Sequence, residues 1–587
     1  MSVISNHKFH VPTMGIGYTL DTPIKIAKYG ISAAVSLVQD DVIEKARKYY
    51  AKQFGKPYSE IDKKAVNFRS KRITAYLDLS QDIVDEEFNQ LKSNKEDLEK
   101  CFSLLPEYSE LRASFFNYIN QHPSYDLSEV QDLIAQLTPG QIDVNIMSKL
   151  DRDDPKGVHL SEACSALEGF ARSKVKSSII ISAGMNPRLF SFMADFDVFF
   201  PNKKGELEKQ IILKVSDYRS ALLQGKILAK KGLWVSEYRI ESGLNCGGHA
   251  FATNGFLMGP ILEEFKNNKQ ETIDELFEFY QVALTEKGIN LEEVPEQKIT
   301  AQGGIGTVGE QRFLMNHYEL DSTGWGTPFL LVPEATTIDD ETLDLLVNAG
   351  EDDLFVSDSS PLGVKYNNIK GNSADKLRLD RIEKGKPGSP CFKKHCALNT
   401  EFEGESLCTA SRTYQKKKIT ELDSQKTNLT ADLYQTKFDA ITIKECICDG
   451  LAVSLLRKMD EMEKSNNPVV SICPGPNLAY YNRTFSLKEM VGHIYGRFNI
   501  VKLNRPNMFL KELGLYVDHF KGEINEFHEE FNKRKERELK KFKNNLLAGI
   551  QYYESIASIL PKYDVDSSSV FMQSLNAYKG TVLALEV

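Results

Sequence analysis

No stretch of this chain is long and apolar enough to cross a bilayer; even the segment from Ser178 to Phe200 is broken by Arg188, Asp195 and Asp197. The opening residues, MSVISNHKFHVPTMGIGYTL, lack the basic start, apolar run and small-residue cleavage site of a secretory signal, so a cytoplasmic location is expected. Positive charge is not in excess either. The formal charge of −9 gives no general electrostatic reason to hold a phosphate backbone, and no nucleic-acid partner is expected. No internal repeat is found. The nine cysteines, in a chain without a signal, point away from a disulfide scaffold and toward buried thiols, metal ligands or reactive thiols.

What is present suits a soluble catalytic domain with additions. At 587 residues the chain exceeds what one hydrophobic core usually organises. Val11 to Gly17 reads as a strand entering a glycine turn, and Ile31 to Val38 as a second strand. Between about 40 and 137 the pattern becomes helical and charged, with Phe88, Leu91, Leu98, Phe102 and Leu105 at helical spacing. Short apolar runs return at Ile142 to Met147, Ser178 to Ala183, Ile211 to Val215, Trp234 to Ile240 and Ile299 to Ala301, separated by helix-length material. That alternation predicts a parallel α/β sheet or barrel over residues 1–375, with the 40–137 segment as a helical insertion. Residues 376–500 read as a cysteine-containing appendage and 501–587 as a mainly helical region. In the latter, Phe520, Ile524, Phe527, Phe531, Leu539, Phe542, Leu546, Ile550 and Tyr553 form a stripe expected to pack.

Three segments carry chemistry. Ser242-Gly-Leu-Asn-Cys-Gly-Gly-His249 follows a predicted strand; its paired glycines let backbone amides approach a ligand, and its imidazole can titrate near neutral pH, although a purely structural turn fits the same letters. Ile299-Thr-Ala-Gln-Gly-Gly-Ile-Gly-Thr307 is a strand ending in a glycine turn before a helix, which suits a phosphate or merely a tight bend. Ser322-Thr-Gly-Trp-Gly-Thr-Pro328 offers Gly326 and Thr327 as donors just beyond it, and neighbouring barrel loops can share one phosphate.

In this order the segments resemble the nitronate monooxygenase and 2-nitropropane dioxygenase family, with its related flavin-dependent enoyl-thioester reductases. Pro12-Thr-Met-Gly looks like the family's first flavin loop; Val144-Asn145, Ala183-Gly184 and Lys214-Val215 continue the match, and Glu334-Ala335 ends it. The resemblance implies a TIM (β/α)8-type barrel holding non-covalent FMN. Met14 and Gly15 would pack beside the flavin ring and Asn145 would contact its polar edge. Gly303, Gly304, Ile305, Gly326 and Thr327 would hold the phosphate, and Gly184, Lys214, Ser242, Gly247 and Gly248 would complete the cofactor site. His249 is implied as the base that takes a proton from a carbon acid while electrons pass to the flavin. Ser242 stands where the family often has glutamine, Asn245-Cys246 where a glutamate-alanine pair is common, and Pro328 where arginine is frequent. These departures bear on the substrate more than on the barrel.

Cys391, Cys396, Cys408, Cys446 and Cys448 cluster in the appendage and suggest an iron-sulfur cluster or, as the alternative, a zinc ion, although structural thiols would also account for them. Cys246 reads either as an active-site thiol or as a small packing residue. The expected function is an FMN-dependent oxidoreductase acting on a small molecule, with an electron donor as a further partner. The alternatives are an enoyl-thioester reductase and a non-catalytic flavin- or metal-binding interaction protein.

Overall fold

The computed structural model describes residues 7–148, 151–153, 157, 159–182, 184–247, 254–463, 467–501, 505–529 and 532–587, without the side chains of 449 and 526–529. Gly248 and His249 lie outside the described residues.

Eight parallel strands close into a barrel in chain order: β1 Phe9–Val11, β2 Ser32–Ser36, β3 Ile142–Ile146, β4 Ser178–Ile181, β5 Gln210–Val215, β6 Val235–Glu241, β7 Lys298–Gln302 and β8 Ser322–Gly324. Closure is made by β8 against β1, with Phe9 opposite Thr323 and His10 opposite Gly324. The strands alternate because one face meets helices and the other meets the barrel axis. Outward residues such as Val11, Val35, Val144, Ile181, Leu213 and Ile240 join the main core, whereas inward Ala34, Ile180 and Ile212 form a separate small cluster. The architecture is a TIM-type (β/α)8 barrel.

The segment between β2 and β3 forms helices Asp40–Gln53, Phe68–Lys92, Lys95–Leu104 and Glu110–Gln121. The apolar stripe read from the sequence, Phe88 to Leu105, is buried there, and Phe102 stacks on Phe115 with ring centroids 3.9 Å apart. Beyond β8 an antiparallel hairpin, β9 Leu354–Ser357 and β10 Tyr366–Ile369, leads into the cysteine-containing region.

The last part of the chain returns to the barrel. Helices Met508–Glu529 and Lys533–Ile556 pack together, with Phe520 stacked on Phe542 at 5.3 Å. Tyr553 reaches helix Met258–Asn267, where its hydroxyl accepts from the Gly259 amide at 3.3 Å. Most of the helical stripe therefore sits in the same core as the barrel strands. No helix among the described residues is long and apolar enough to cross a membrane.

Candidate active site

The carboxyl-terminal ends of β7 and β8 each release the chain into a glycine turn. Gly303 and Gly304 adopt φ of +99° and +81°, which turns the chain from β7 toward helix Val308–His317. The turn after β8 places Gly326 and Thr327 at the start of the short helix Thr327–Leu331. The two turns line one cleft of about 270 Å³, together with Pro12, Asn245, Cys246 and Asn477. Among the described residues no hydrogen-bond acceptor takes the backbone N–H groups of Gly303, Gly304, Ile305, Gly326 or Thr327. Amides without an acceptor around one cleft suit an anion.

The start of helix Val308–His317 makes a different contribution from the one its sequence suggests. Its first amides are already engaged: Glu310 accepts from Gly306 at 2.8 Å and from Thr307 at 3.2 Å. Glu310 is buried and paired with Arg505 at 2.7 Å, and the guanidinium also donates to the Gly304 carbonyl at 2.5 Å. The helix end thus braces the turn, and the anion-facing amides are those of the turn itself.

The loops after β1 and β6 meet beside this cleft. A side chain on Gly247, at φ +70°, would lie 2.6 Å from the Met14 carbonyl carbon, so only glycine allows the two backbones to touch. A Cβ on Gly326 would sit 3.3 Å from Pro12 and Cys246 and 3.7 Å from Met14. Met14, Gly15, Gly247, Gly303, Gly304, Ile305, Gly326 and Thr327 are therefore brought to one end of the barrel. The Cys246 thiol is buried against the Cys473 carbonyl at 3.2 Å. Burial, with Cys473 beside it, pushes that thiol well above its ordinary range, which favours the packing reading over a reactive thiolate.

Asn145, next to the last residue of β3, has its side-chain oxygen buried and unpartnered. Lys214, on the inner face of β5, pairs with Glu241 of β6 at 3.1 Å, and Gln302 of β7 donates to the same carboxylate at 2.6 Å. Gly184 follows β4 at φ +129°. Ser242 is engaged elsewhere by its hydroxyl. Its hydroxyl donates to Glu512 at 2.7 Å and accepts from the Leu244 amide at 3.2 Å, so it holds the loop from behind and does not line the cleft.

A second layer of charge lies deeper in the barrel. Arg239 pairs with Glu237 at 2.7 Å, Thr300 donates to the same carboxylate at 2.5 Å, and Asp143 lies 3.7 Å from Arg239. Burial lowers His10 to about 3, and Arg239 adds to the effect. Burial also raises Asp143 to about 6 against the pull of Arg239. Burial alone would raise Glu237, but the charge and hydrogen bond of Arg239 prevail and hold it below the usual carboxylate range. Sequence reasoning missed this layer. Its signal was in β6, Val-Ser-Glu-Tyr-Arg-Ile-Glu, whose charged residues occupy every second position.

The cover of the mouth was also missed. The Cys473 carbonyl accepts from the Gly247 amide at 3.1 Å, and the Asn477 side chain donates to the Gly304 carbonyl at 2.8 Å. From the helix Ile447–Lys458, the Leu451 carbonyl accepts from the Gly17 amide at 2.9 Å. Only the Pro-Gly-Pro punctuation at 474–476 marked this segment in the sequence.

Cys391, Cys396, Cys408, Cys446 and Cys448 pack together in one cluster beside the barrel. Among the described residues, no group of three or more histidine, cysteine or carboxylate side chains is arranged around a point that could hold a metal ion.

No protein-family model matches the chain, and no curated protein sequence matches it. Several solved structures do. The enoyl reductase domain of MlnA from the macrolactin biosynthesis cluster of Bacillus amyloliquefaciens is 14% identical, over 63% of this chain and 86% of that one, with a TM-score of 0.35. FabK from Thermotoga maritima is 13% identical, over 67% and 82%, with a TM-score of 0.30. Nitroalkane oxidase from Streptomyces ansochromogenes is 10% identical, over 62% and 82%, with a TM-score of 0.28.

Proposed function

We propose that the chain is an FMN-dependent oxidoreductase resembling nitronate monooxygenase, coupling proton abstraction from a carbon acid to flavin electron transfer. The observation that carries this reading is the cleft at the barrel mouth, bordered by the turns at 303–305 and 326–327, whose five amides have no acceptor among the described residues. The residues fit the phosphate end of the cofactor: backbone amides without an acceptor border the cleft, and Arg505, paired with Glu310, braces the Gly304 carbonyl behind it. The cleft would take only the phosphate end, and the ring would extend over the strand ends toward Asn145 and Lys214.

When bound, FMN would supply a two-electron acceptor. The chain supplies the rest. Met14 and Cys246 would exclude water beside the ring, the unpartnered Asn145 oxygen would be available to accept a hydrogen bond from its polar edge, and Lys214, paired with Glu241, would lie nearby. His249 is assigned the proton, taken from the carbon next to the activating group of the substrate. A second reading rests on a mainly apolar cleft near the mouth, lined by Ile16, Leu37, Met147, Ala166, Leu362 and Leu451 among others. Its apolar lining is the kind of surface a hydrocarbon chain would meet, which favours an enoyl-thioester reductase.

The test begins with absorption of the anaerobically purified protein and extraction of its cofactor, with reconstitution by FMN if the preparation is colourless. Two visible flavin bands and one extractable FMN per chain are expected. Oxygen consumption with an alkyl nitronate supports the first reading, and NADPH consumption with an unsaturated acyl thioester supports the second. Failure to bind FMN after reconstitution refutes both. Turnover unchanged in His249→Ala removes the proton-transfer role.

A further inference from the structure

Residues 386–411 carry almost no regular structure: within them are only the isolated bridges Asn399 with Leu407 and Ser389 with Ser411. The segment nevertheless holds a defined shape. Ser389 donates to the Ala410 carbonyl at 2.9 Å, Arg412 to Ser389 at 3.0 Å, and Asn399 and Leu407 exchange bonds of 3.0 and 2.8 Å. Its apolar interior is very small. The buried members are Cys396, Ala397, Cys408, Ala410 and Cys448, with Leu362, Cys391 and Cys446 packed against them. A unit whose core is five thiols, two alanines and one leucine cannot order itself by hydrophobic burial, and units of this size and composition are ordinarily held by disulfides or a metal ion. No disulfide joins cysteines among the described residues.

The thiols are also placed in pairs. The sulfurs of Cys446 and Cys448 are 3.8 Å apart. Cys408 and Cys391 interact within the same cluster, which Cys448 also enters. A zinc ion with Zn–S bonds of about 2.3 Å has tetrahedral edges of about 3.8 Å, so the 446–448 pair already has the separation of one edge. An iron-sulfur cubane spreads its ligands over separate irons, which moves their sulfurs beyond contact. Arg381 lines the same cleft as Cys446 and would balance part of the charge of four thiolates.

We propose that Cys391, Cys408, Cys446 and Cys448 form a tetrahedral thiolate site for one zinc ion, which on binding would draw these clustered thiols around a common centre, with Cys396 packing beside it. This goes beyond the flavin reading and does not depend on it. The site would fix the start of helix Ile447–Lys458, the helix that delivers Leu451 to Gly17 at the barrel mouth.

The test is metal analysis of the full-length protein purified anaerobically from cells supplied with zinc and iron, before and after removal of flavin. About one zinc per chain, unchanged by flavin removal, is expected. Cys408→Ser and Cys446→Ser should each lose at least nine tenths of it, and Cys101→Ala, outside the cluster, should keep it. If the serine variants fail to fold, cobalt substitution of the unaltered protein should give the visible absorption of a tetrahedral thiolate site. Iron with matching sulfide and colour bleached by dithionite would overturn the proposal, as would metal-free protein with a Cys446–Cys448 disulfide. Loss of flavin binding with zinc retained would sink only the flavin reading.

Discussion

Replacing Glu512 with alanine should release the loop that carries Gly247 and lead to His249. This carboxylate comes from helix Met508–Glu529, is fully buried, and holds both ends of the loop: its oxygens accept from the Ser242 hydroxyl at 2.7 Å and from the Met258 amide at 2.9 Å. Burial raises its pKa above the usual carboxylate value, and the donors around it only partly offset that effect. Each of the two hydrogen bonds to the charged group contributes about 1.5–3 kcal/mol, so Glu512→Ala should cost about 3–6 kcal/mol, and Glu512→Gln, which keeps one acceptor, about half of that. The assay is urea unfolding followed by circular dichroism, with release of bound FMN measured in parallel by fluorescence. FMN should leave at lower urea in Glu512→Ala than in the parent protein. A double-mutant cycle with Ser242→Ala should give a coupling of about 1–3 kcal/mol. Coupling near zero, or FMN release unchanged in Glu512→Ala, would refute the claim that this residue holds the loop.

Gly475→Ala should weaken FMN binding by tenfold or more in a titration, because its φ is +74° and a Cβ there would lie 2.6 Å from the Thr327 hydroxyl and 3.1 Å from the Asn245 carbonyl. Arg505→Met removes one partner of the buried pair with Glu310 and should cost about 3–5 kcal/mol in urea unfolding. Phe542→Ala removes the ring stacked on Phe520 and should cost about 3–5 kcal/mol, with FMN affinity unchanged once the protein is folded. Acid should destabilise the protein through His7, whose pKa burial lowers from 6.5 to about 4. Its imidazole is neutral when folded, so the unfolded chain takes up the proton first as pH falls. The His7 contribution is complete above pH 6.5, about 2 kcal/mol smaller by pH 5, and lost as pH falls through about 4. The difference in urea stability between pH 7 and pH 5 should shrink by about that amount in His7→Gln.

The barrel was legible because its strands are short apolar runs separated by helix-length segments, and Val11, Val144, Ile181 and Ile240 obey that rule in the structure. The two glycine turns were legible for a local reason, since Gly303 and Gly304 need backbone angles that other residues resist. What was not legible depends on long-range return of the chain. Asn477, Arg505 and Glu512 look like ordinary polar residues in sequence, and become site residues only because the terminal helices fold back over the barrel mouth. Ser242 illustrates the same limit. Its position in the motif suggested a ligand, but its hydroxyl is taken by a carboxylate 270 positions away. The inner charges of β6 were masked by a helix-and-strand reading that counted apolar residues and passed over alternating polar ones.

The return of the carboxyl-terminal segment also bears on how the protein is made. The eighth strand leaves the ribosome while Gly475, Asn477 and Arg505 are still unsynthesised, so the nascent barrel closes its wall before it has a roof. On the flavin reading, loading of the prosthetic group would then be a late, post-translational event, and truncated products of this polypeptide should accumulate without it however well their strands have assembled.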